Sequence, residues 1–168
     1  MKKRSTALKA RHPEESFVRT TELVLPQHSN SLGAVFGGVM MSWIDIAAAI
    51  AAARHAGRTC VTASIDQLHF LRPIKKGYVV NIEARVTAVH NTSCEVMVNV
   101  TGENLLTSER FHTANAYLTF VALDDDGRPT PMPPLAAKTT KDKKLMEQAL
   151  VRRKHRITLK NELEKLSG

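Results

Sequence analysis

Between Asn30 and Gly57 the chain reads N-S-L-G-A-V-F-G-G-V-M-M-S-W-I-D-I-A-A-A-I-A-A-A-R-H-A-G, and this run restricts the fold more than any other. Gly37 and Gly38 lead into a segment that is apolar almost all round. Arg54 and His55 then supply a basic last turn, and Gly57 the residue that ends a helix in the left-handed conformation. A helix without a polar face is a buried helix, so the rest of the chain must wrap it. Val39–Ala53 is shorter than the ~20 residues a membrane span needs. It also holds one acid, Asp45, about two turns in. An unpartnered carboxylate in such surroundings is costly, so Asp45 has either a partner or a chemical task.

Around this helix the apolar period changes from 3.6 to 2. Phe17–Leu25 is β-rich and stops at Pro26, and Cys60–Leu71 is extended and stops before Pro73. Val80, Ile82, Ala84, Val86 and Ala88 alternate with polar residues, and so do Cys94, Val96, Val98 and Val100. A polar connection near Gly102–Arg110 leads to a last strand, Phe111–Leu123, closed by Asp124–Gly127. The turns at Lys75–Gly77 and His90–Thr92 are short, which implies antiparallel neighbours. A flat face cannot bury a helix all round, so the sheet is expected to curl about it. The class is α+β: a curled antiparallel sheet wrapped around a long central helix, followed by a charged helix over Lys141–Leu166 with a thin apolar stripe.

The 168 residues suit one domain with a real core. The net charge of +8 lies in the tails. Residues 1–12 carry five Lys/Arg and no acid, and residues 138–168 carry ten against four, which leaves nine Lys/Arg against twelve acids in 13–137. The body is therefore no general polyanion binder, and no nucleic-acid partner is expected. We expect a disordered basic N-terminus over 1–13, a folded domain over 14–135, and a linker with the basic C-terminal helix over 136–168. Cys60 and Cys94 lie in strand-like runs and read as small buried hydrophobes in a reducing compartment, hence a cytoplasmic location. The histidines show no ligand spacing and there is no C-x-x-C, so no metal is expected. The G-x-S-x-G elbow, the P-loop and the dinucleotide fingerprint are all missing.

Three segments carry a resemblance: P-Q-H-S-N-S-L-G-A-V-F-G-G-V-M-M-S-W-I-D at 26–45, R-H-A-G-R-T-C-V-T-A-S-I-D-Q-L-H-F-L-R-P-I-K-K-G at 54–77, and L-T-F-V-A-L-D-D-D-G-R-P-T-P-M-P-P-L at 118–135. In these the chain resembles the hotdog-fold acyl-CoA thioesterases of the cytosolic acyl-CoA hydrolase type. The resemblance implies hydrolysis of acyl-CoA, of medium or long chain, to fatty acid and CoA, and so a place in fatty acid metabolism. It implies Asn30 and Asp45 as the catalytic pair, with Asn30 contributed by a partner subunit. It further implies a homodimer with its helices side by side, three dimers making a homohexamer. No cofactor is implied beyond the coenzyme A of the substrate.

The residue types fit such chemistry. Gly37 and Gly38 at a helix start offer free N–H groups and the positive dipole end, with Gly38 the candidate oxyanion donor. Asp45 serves as general base or as nucleophile. Asn30 orients water or carbonyl; read without the resemblance, it is first of all a turn-forming Asn. Thr62, Ser64 and Asp66 share one face of a strand, and Thr62 and Ser64 are candidates to touch substrate. Arg72, Lys75 and Lys76 at a strand end, with Thr92 and Ser93 at the next turn, are candidates for CoA phosphates. Two other readings compete: a hotdog hydratase of enoyl or 3-hydroxyacyl thioesters, which would draw on His28 or His69, and an acyl-CoA-binding sensor without turnover.

Overall fold

The computed structural model describes residues 8–167. A short 3-10 turn at Pro13–Ser16 precedes β1 (Val18–Leu23), and a second at Pro26–His28 precedes α1 (Gly37–Ala56). Then come β2 (Cys60–Phe70), β3 (Val79–Val89), β4 (Ser93–Asn104), β5 (Glu109–Ala122) and α2 (Thr140–Ser167). The five strands form one sheet in the order β1-β3-β4-β5-β2, every pair antiparallel. The chain leaves one edge strand, β1, and returns on the other, β2, with α1 as the crossover; this lays α1 across the concave face. Gly57 ends α1 at φ 68°, a conformation that favours glycine, and its N–H closes on the Ala53 carbonyl.

The alternating residues of β3, β4 and β5 form the inner face as their period requires: Val80, Ile82, Ala84 and Val86, then Cys94 to Val100, then Ala114 to Ala122, all buried. They meet a stripe of α1 formed by Met40, Ile44, Ala47, Ala48, Ala51 and Ala52. The many alanines let helix and sheet approach closely. The expectation of a helix buried all round is corrected here. In the single chain the sheet covers one side of α1, and Met41, Ile46 and Ile50 on the other side stand 41, 53 and 38 % exposed. Val61, Ile65 and Phe70 on the adjoining edge strand β2 are exposed too. By composition α1 is long and apolar enough to cross a membrane, but here its Ala-rich stripe is the inner wall of the core.

The tails also depart from expectation. Of the expected disordered segment 1–13, residues 1–7 lie outside the described residues. Arg11, however, is fixed: its N–H donates to the Pro134 carbonyl (2.9 Å) and its carbonyl accepts from Ala136 N–H (2.8 Å). The ordered body therefore starts before residue 14 and is closed by the proline-rich exit. α2 is capped by Thr139, whose hydroxyl accepts from the Asp142 N–H (3.0 Å) and donates to the Asp142 carboxylate (2.6 Å). The helix then crosses the outer face of the sheet, held by charge where its apolar stripe is thin. The Arg152 guanidinium binds Glu95 in two bonds (2.9 and 2.7 Å) and lies 3.6 Å from the centre of the Tyr117 ring. Thr87 donates to the same carboxylate (2.7 Å), and Arg85 meets Asp142 (3.5 Å). Glu95 is buried, so removing its cation strands a negative charge. Arg152→Met is expected to cost about 3 kcal/mol, read as a lower urea midpoint at unchanged slope.

His55, in the last turn of α1, is fully buried. Its Nε2 meets the Pro133 carbonyl at 2.8 Å and its Nδ1 has no partner among the described residues. Burial lowers its pKa from the usual 6.5, the bond to Pro133 opposes this, and nearby Arg11 adds to it. As pH falls through about 6.5 the unfolded chain takes up a proton that the folded chain refuses, so stability present above that pH is lost below it. His90, also desolvated and facing Arg153 and Arg156, acts with the same sign. The urea midpoint is expected to drop between pH 7.5 and 5.5, and less so in His55→Gln.

Candidate active site

The loop before α1 is folded by Asn30. Its side-chain Oδ1 accepts from Leu32 N–H (2.9 Å) and Ala34 N–H (3.2 Å), and its backbone N–H reaches the Ala34 carbonyl (2.8 Å). The turn role and the proposed chemical role are thus not alternatives: the carbonyl end builds the loop, while the NH₂ end has no partner among the described residues. Asn30 is therefore available as a donor only. The same loop is tied to the β2–β3 connection by backbone bonds from Val35 to Ile74 and from Lys76 to Gly33 (both 2.9 Å).

At the start of α1, Phe36 is an extended N-cap without a side-chain cap bond. The Met40 N–H is the first to close on the helix, so those of Gly37, Gly38 and Val39 stay open among the described residues. A Cβ on Gly38 would lie 2.7 Å from the Phe36 ring, so this glycine lets the ring lie over the helix start. Asn30, Gly37, Met40, Phe70, Arg72 and Lys75 line one cavity of about 400 Å³. Its apolar wall and convergent donors suit an acyl or thioester group.

Asp45 is half-buried on the side of α1 away from the sheet centre, and the Thr62 hydroxyl of β2 donates to its Oδ1 at 2.8 Å. The acid thus has a neutral partner rather than an ion pair, and a second oxygen to spare. It does not line the cavity of Asn30. Ser64, expected on the same strand face as Thr62, is not there. β2 carries two register shifts against β5, one between Thr62 and Ser64 and one between Ile65 and Gln67. Each inserts a residue and turns the strand over. Thr62 pairs with inward Phe120, Ser64 with outward Thr119. Ser64 donates instead to Asp66 (2.8 Å), which also accepts from Thr119 (3.4 Å) and is paired with Arg156 of α2.

The expected CoA contacts separate into two groups. Arg72 and Lys75 border the Asn30 cavity, and Lys76 adjoins them. Arg72 is shared with Glu109 (3.0 Å) and lies 4.0 Å over the Phe111 ring. Thr92 and Ser93 sit at the β3–β4 turn, at the opposite end of the sheet from Val79 and the cavity. Of the histidines weighed for a hydratase, His28 packs edge-on against Trp43 at 5.1 Å, and His69 pairs in register with Asn115 on the outer face. Neither side chain bonds Asp45.

The thioesterase superfamily model matches residues 32–108. A Bacillus subtilis protein named an uncharacterised acyl-CoA thioester hydrolase is 41 % identical over 155 residues, 92 % of this chain and 90 % of the relative. Among solved structures, an apo-hexameric acyl-CoA thioesterase superposes with a TM-score of 0.87 at 40 % identity, covering 90 % of this chain and 97 % of the other. The acyl-CoA hydrolase of Staphylococcus aureus, solved with butyryl coenzyme A, coenzyme A and coenzyme A disulfide, does so at 0.84 and 35 % identity over 95 % and 99 %. That enzyme has also been solved with an aspartate, a threonine or an asparagine replaced by alanine. An antiparallel sheet around one central helix, an acid and a threonine hydrogen-bonded at its flank, and likeness along nearly the whole chain agree: the chain belongs to the thioesterase superfamily, among the hotdog-fold acyl-CoA thioester hydrolases.

Proposed function

We propose that the protein hydrolyses acyl-CoA, of medium or long chain, to fatty acid and CoA in the cytoplasm, at a site completed by two copies of the chain. The observation that carries this is the Thr62–Asp45 bond of 2.8 Å. Asn30 precedes Asp45 by fifteen residues and Thr62 follows it by seventeen. The asparagine, aspartate and threonine replaced in the S. aureus enzyme have the same two spacings.

The geometry within one chain supports a second copy. Gly38 and Asp45 are seven residues apart, ~10 Å along the helix axis at 1.5 Å per residue. A reacting carbonyl must be about 3 Å from both its oxyanion donors and its attacking group. One chain's Asp45 therefore acts on a thioester held at the other chain's Asn30 and Gly38. The exposed apolar side of α1 and the edge strand β2 beside it are the surfaces a partner covers, and hexameric relatives support assembly.

In the reaction, Thr62 holds one oxygen of Asp45. The free oxygen takes a proton from water as that water attacks the thioester carbon, or itself attacks to give a mixed anhydride. The carbonyl oxygen gathers negative charge and is met by the Gly38 N–H and the Asn30 NH₂. The C–S bond breaks and the CoA thiolate leaves; in the first route it takes the proton that Asp45 accepted from water, and in the second water cleaves the anhydride and gives its proton to the thiolate, so that both routes release the fatty acid and return the carboxylate. Every step uses groups of the chain and water, so no metal or redox cofactor is required. Arg72, Lys75 and Lys76 offer charge to the CoA phosphates of the site they border. Thr92 and Ser93 reach such phosphates only from a neighbouring copy.

The test is thiol release across acetyl- to palmitoyl-CoA. Turnover rising to a maximum at medium or long chains is the expected result, and binding of all of them without thiol release would contradict it. Label found in Asp45 after a single turnover in oxygen-18 water identifies the anhydride route, since general-base attack puts all of it in the fatty acid.

A further inference from the structure

The polar cluster on the outer face of the sheet lies on the far side from the Asp45 site, yet it grips the strand that carries Thr62. Here β2 has two extra residues relative to β5. Thr62 pairs with Phe120 and Ser64 with Thr119, so Ala63 is extra; Ile65 pairs with Leu118 and Gln67 with Tyr117, so Asp66 is extra. Between the two bulges the strand is inverted, and beyond them it returns to its first parity, with Leu68 opposite Ala116. Without the bulges, Thr62, Ser64, Asp66 and Leu68 would all face α1, and the charge of Asp66 would enter the core. Asp66 is instead drawn outward by three groups: the Ser64 hydroxyl (2.8 Å), the Thr119 hydroxyl (3.4 Å) and the Arg156 guanidinium of α2. Its carboxylate is almost fully covered, with 4 % of the side chain accessible, whereas Arg156 is 27 % accessible. A buried carboxylate is costly unless paired, so the pair opposes any slip of β2. A slip of one residue would carry the Thr62 hydroxyl to the other face.

We propose that Asp66 and Arg156 are positioning residues: the ion pair between α2 and the bulged segment of β2 sets the register that aims Thr62 Oγ1 at Asp45. This rests on the reading of Asp45 and Thr62 as the reacting site. It gives the C-terminal helix a task in the reaction from the outer face of the sheet. Asp66 lies four residues past Thr62 on one strand, and the pair acts through backbone register rather than through the charge of Arg156 at the site.

The test is Asp66→Ala and Arg156→Ala in the full chain, each alone and combined with Thr62→Ala, with octanoyl-CoA as substrate and amide hydrogen exchange as a second readout. Each single change is expected to lower kcat about tenfold or more with KM within about twofold. Amides of 61–68 should exchange at least about tenfold faster while those of β3 and β4 keep their rates. Arg156→Lys, which keeps the charge, should recover at least about half of the lost kcat. In the Thr62→Ala background the same changes should lower kcat less than about twofold, because the group they position is gone. Unchanged exchange in β2, or an equal loss with and without Thr62, would overturn the proposal. Full turnover in Thr62→Ala would contradict the reading of the site instead, and the exchange of β2 then decides the register claim by itself.

Discussion

Asp45→Asn is expected to lower kcat for acyl-CoA hydrolysis about a thousandfold, while the protein keeps its fold and its affinity for CoA. The substitution is nearly isosteric. The Thr62 hydroxyl, which donates to Oδ1 at 2.8 Å, can donate equally well to an amide oxygen, so the flank of α1 keeps its geometry. What is lost is the anion that takes a proton or attacks. The loss should fall on kcat, because a group that acts only as the carbonyl becomes tetrahedral contributes little to substrate binding. Circular dichroism and the urea midpoint should match the parent. Full turnover in this variant would remove Asp45 from the reaction.

Asn30→Ala is expected to lower kcat roughly a hundredfold, the usual worth of one oxyanion donor. This variant has a second effect, since Oδ1 holds the N–H groups of Leu32 and Ala34 and so shapes the loop. Asn30→Asp separates the two roles. It keeps the carbonyl-like acceptor that folds the turn and replaces the free NH₂ with an oxygen that repels a developing oxyanion. Equal or greater loss of kcat in Asn30→Asp than in Asn30→Ala, with a better preserved urea midpoint, is the expected pattern. A fully active Asn30→Asp would reduce Asn30 to a turn residue.

Much of the architecture was legible because period and punctuation agree. The run from Gly37 to Gly57 reads as one helix and is one, down to the left-handed glycine at its end. The alternation of β4, and of β3 as far as Val86, fixes which side faces α1; past a register shift at Thr87, Ala88 pairs with outward Glu95 and Val89 with inward Cys94, against the expected alternation. Other features depend on contacts far apart in sequence. Cys60–Leu71 reads as one extended run with Thr62, Ser64 and Asp66 on one face, and nothing local marks Ala63 and Asp66 as extra residues; besides Ser64, the groups that hold Asp66 outward come from β5 and α2. Glu95 alternates as a solvent-facing residue, yet it is 4 % exposed because α2 covers the outer face. α1 reads as buried on all sides because its apolar residues run all round, and the sequence does not mark which of them the sheet of the same chain leaves exposed. In the site, the choice of Thr62 over Ser64 followed from the bulges and was out of reach of a period-two reading. The split of Asn30 between a committed carbonyl and a free amide needed the folded loop.

If Asp45 and Asn30 of one active site belong to different chains, mixing two inactive variants restores activity. Asp45→Asn and Asn30→Ala are unfolded together, refolded at equal amounts, and assayed for thiol release against each alone. With random pairing across a two-fold interface, half the dimers are mixed, and each mixed dimer holds one intact site and one doubly damaged site. Activity should therefore return to about a quarter of the parent's, far above the sum of the separate variants. If both residues of a site came from one chain, every site in the mixture would lack one of them. Activity would then stay at the level of the single variants, and that result would place Asp45 and Asn30 of a site in one chain.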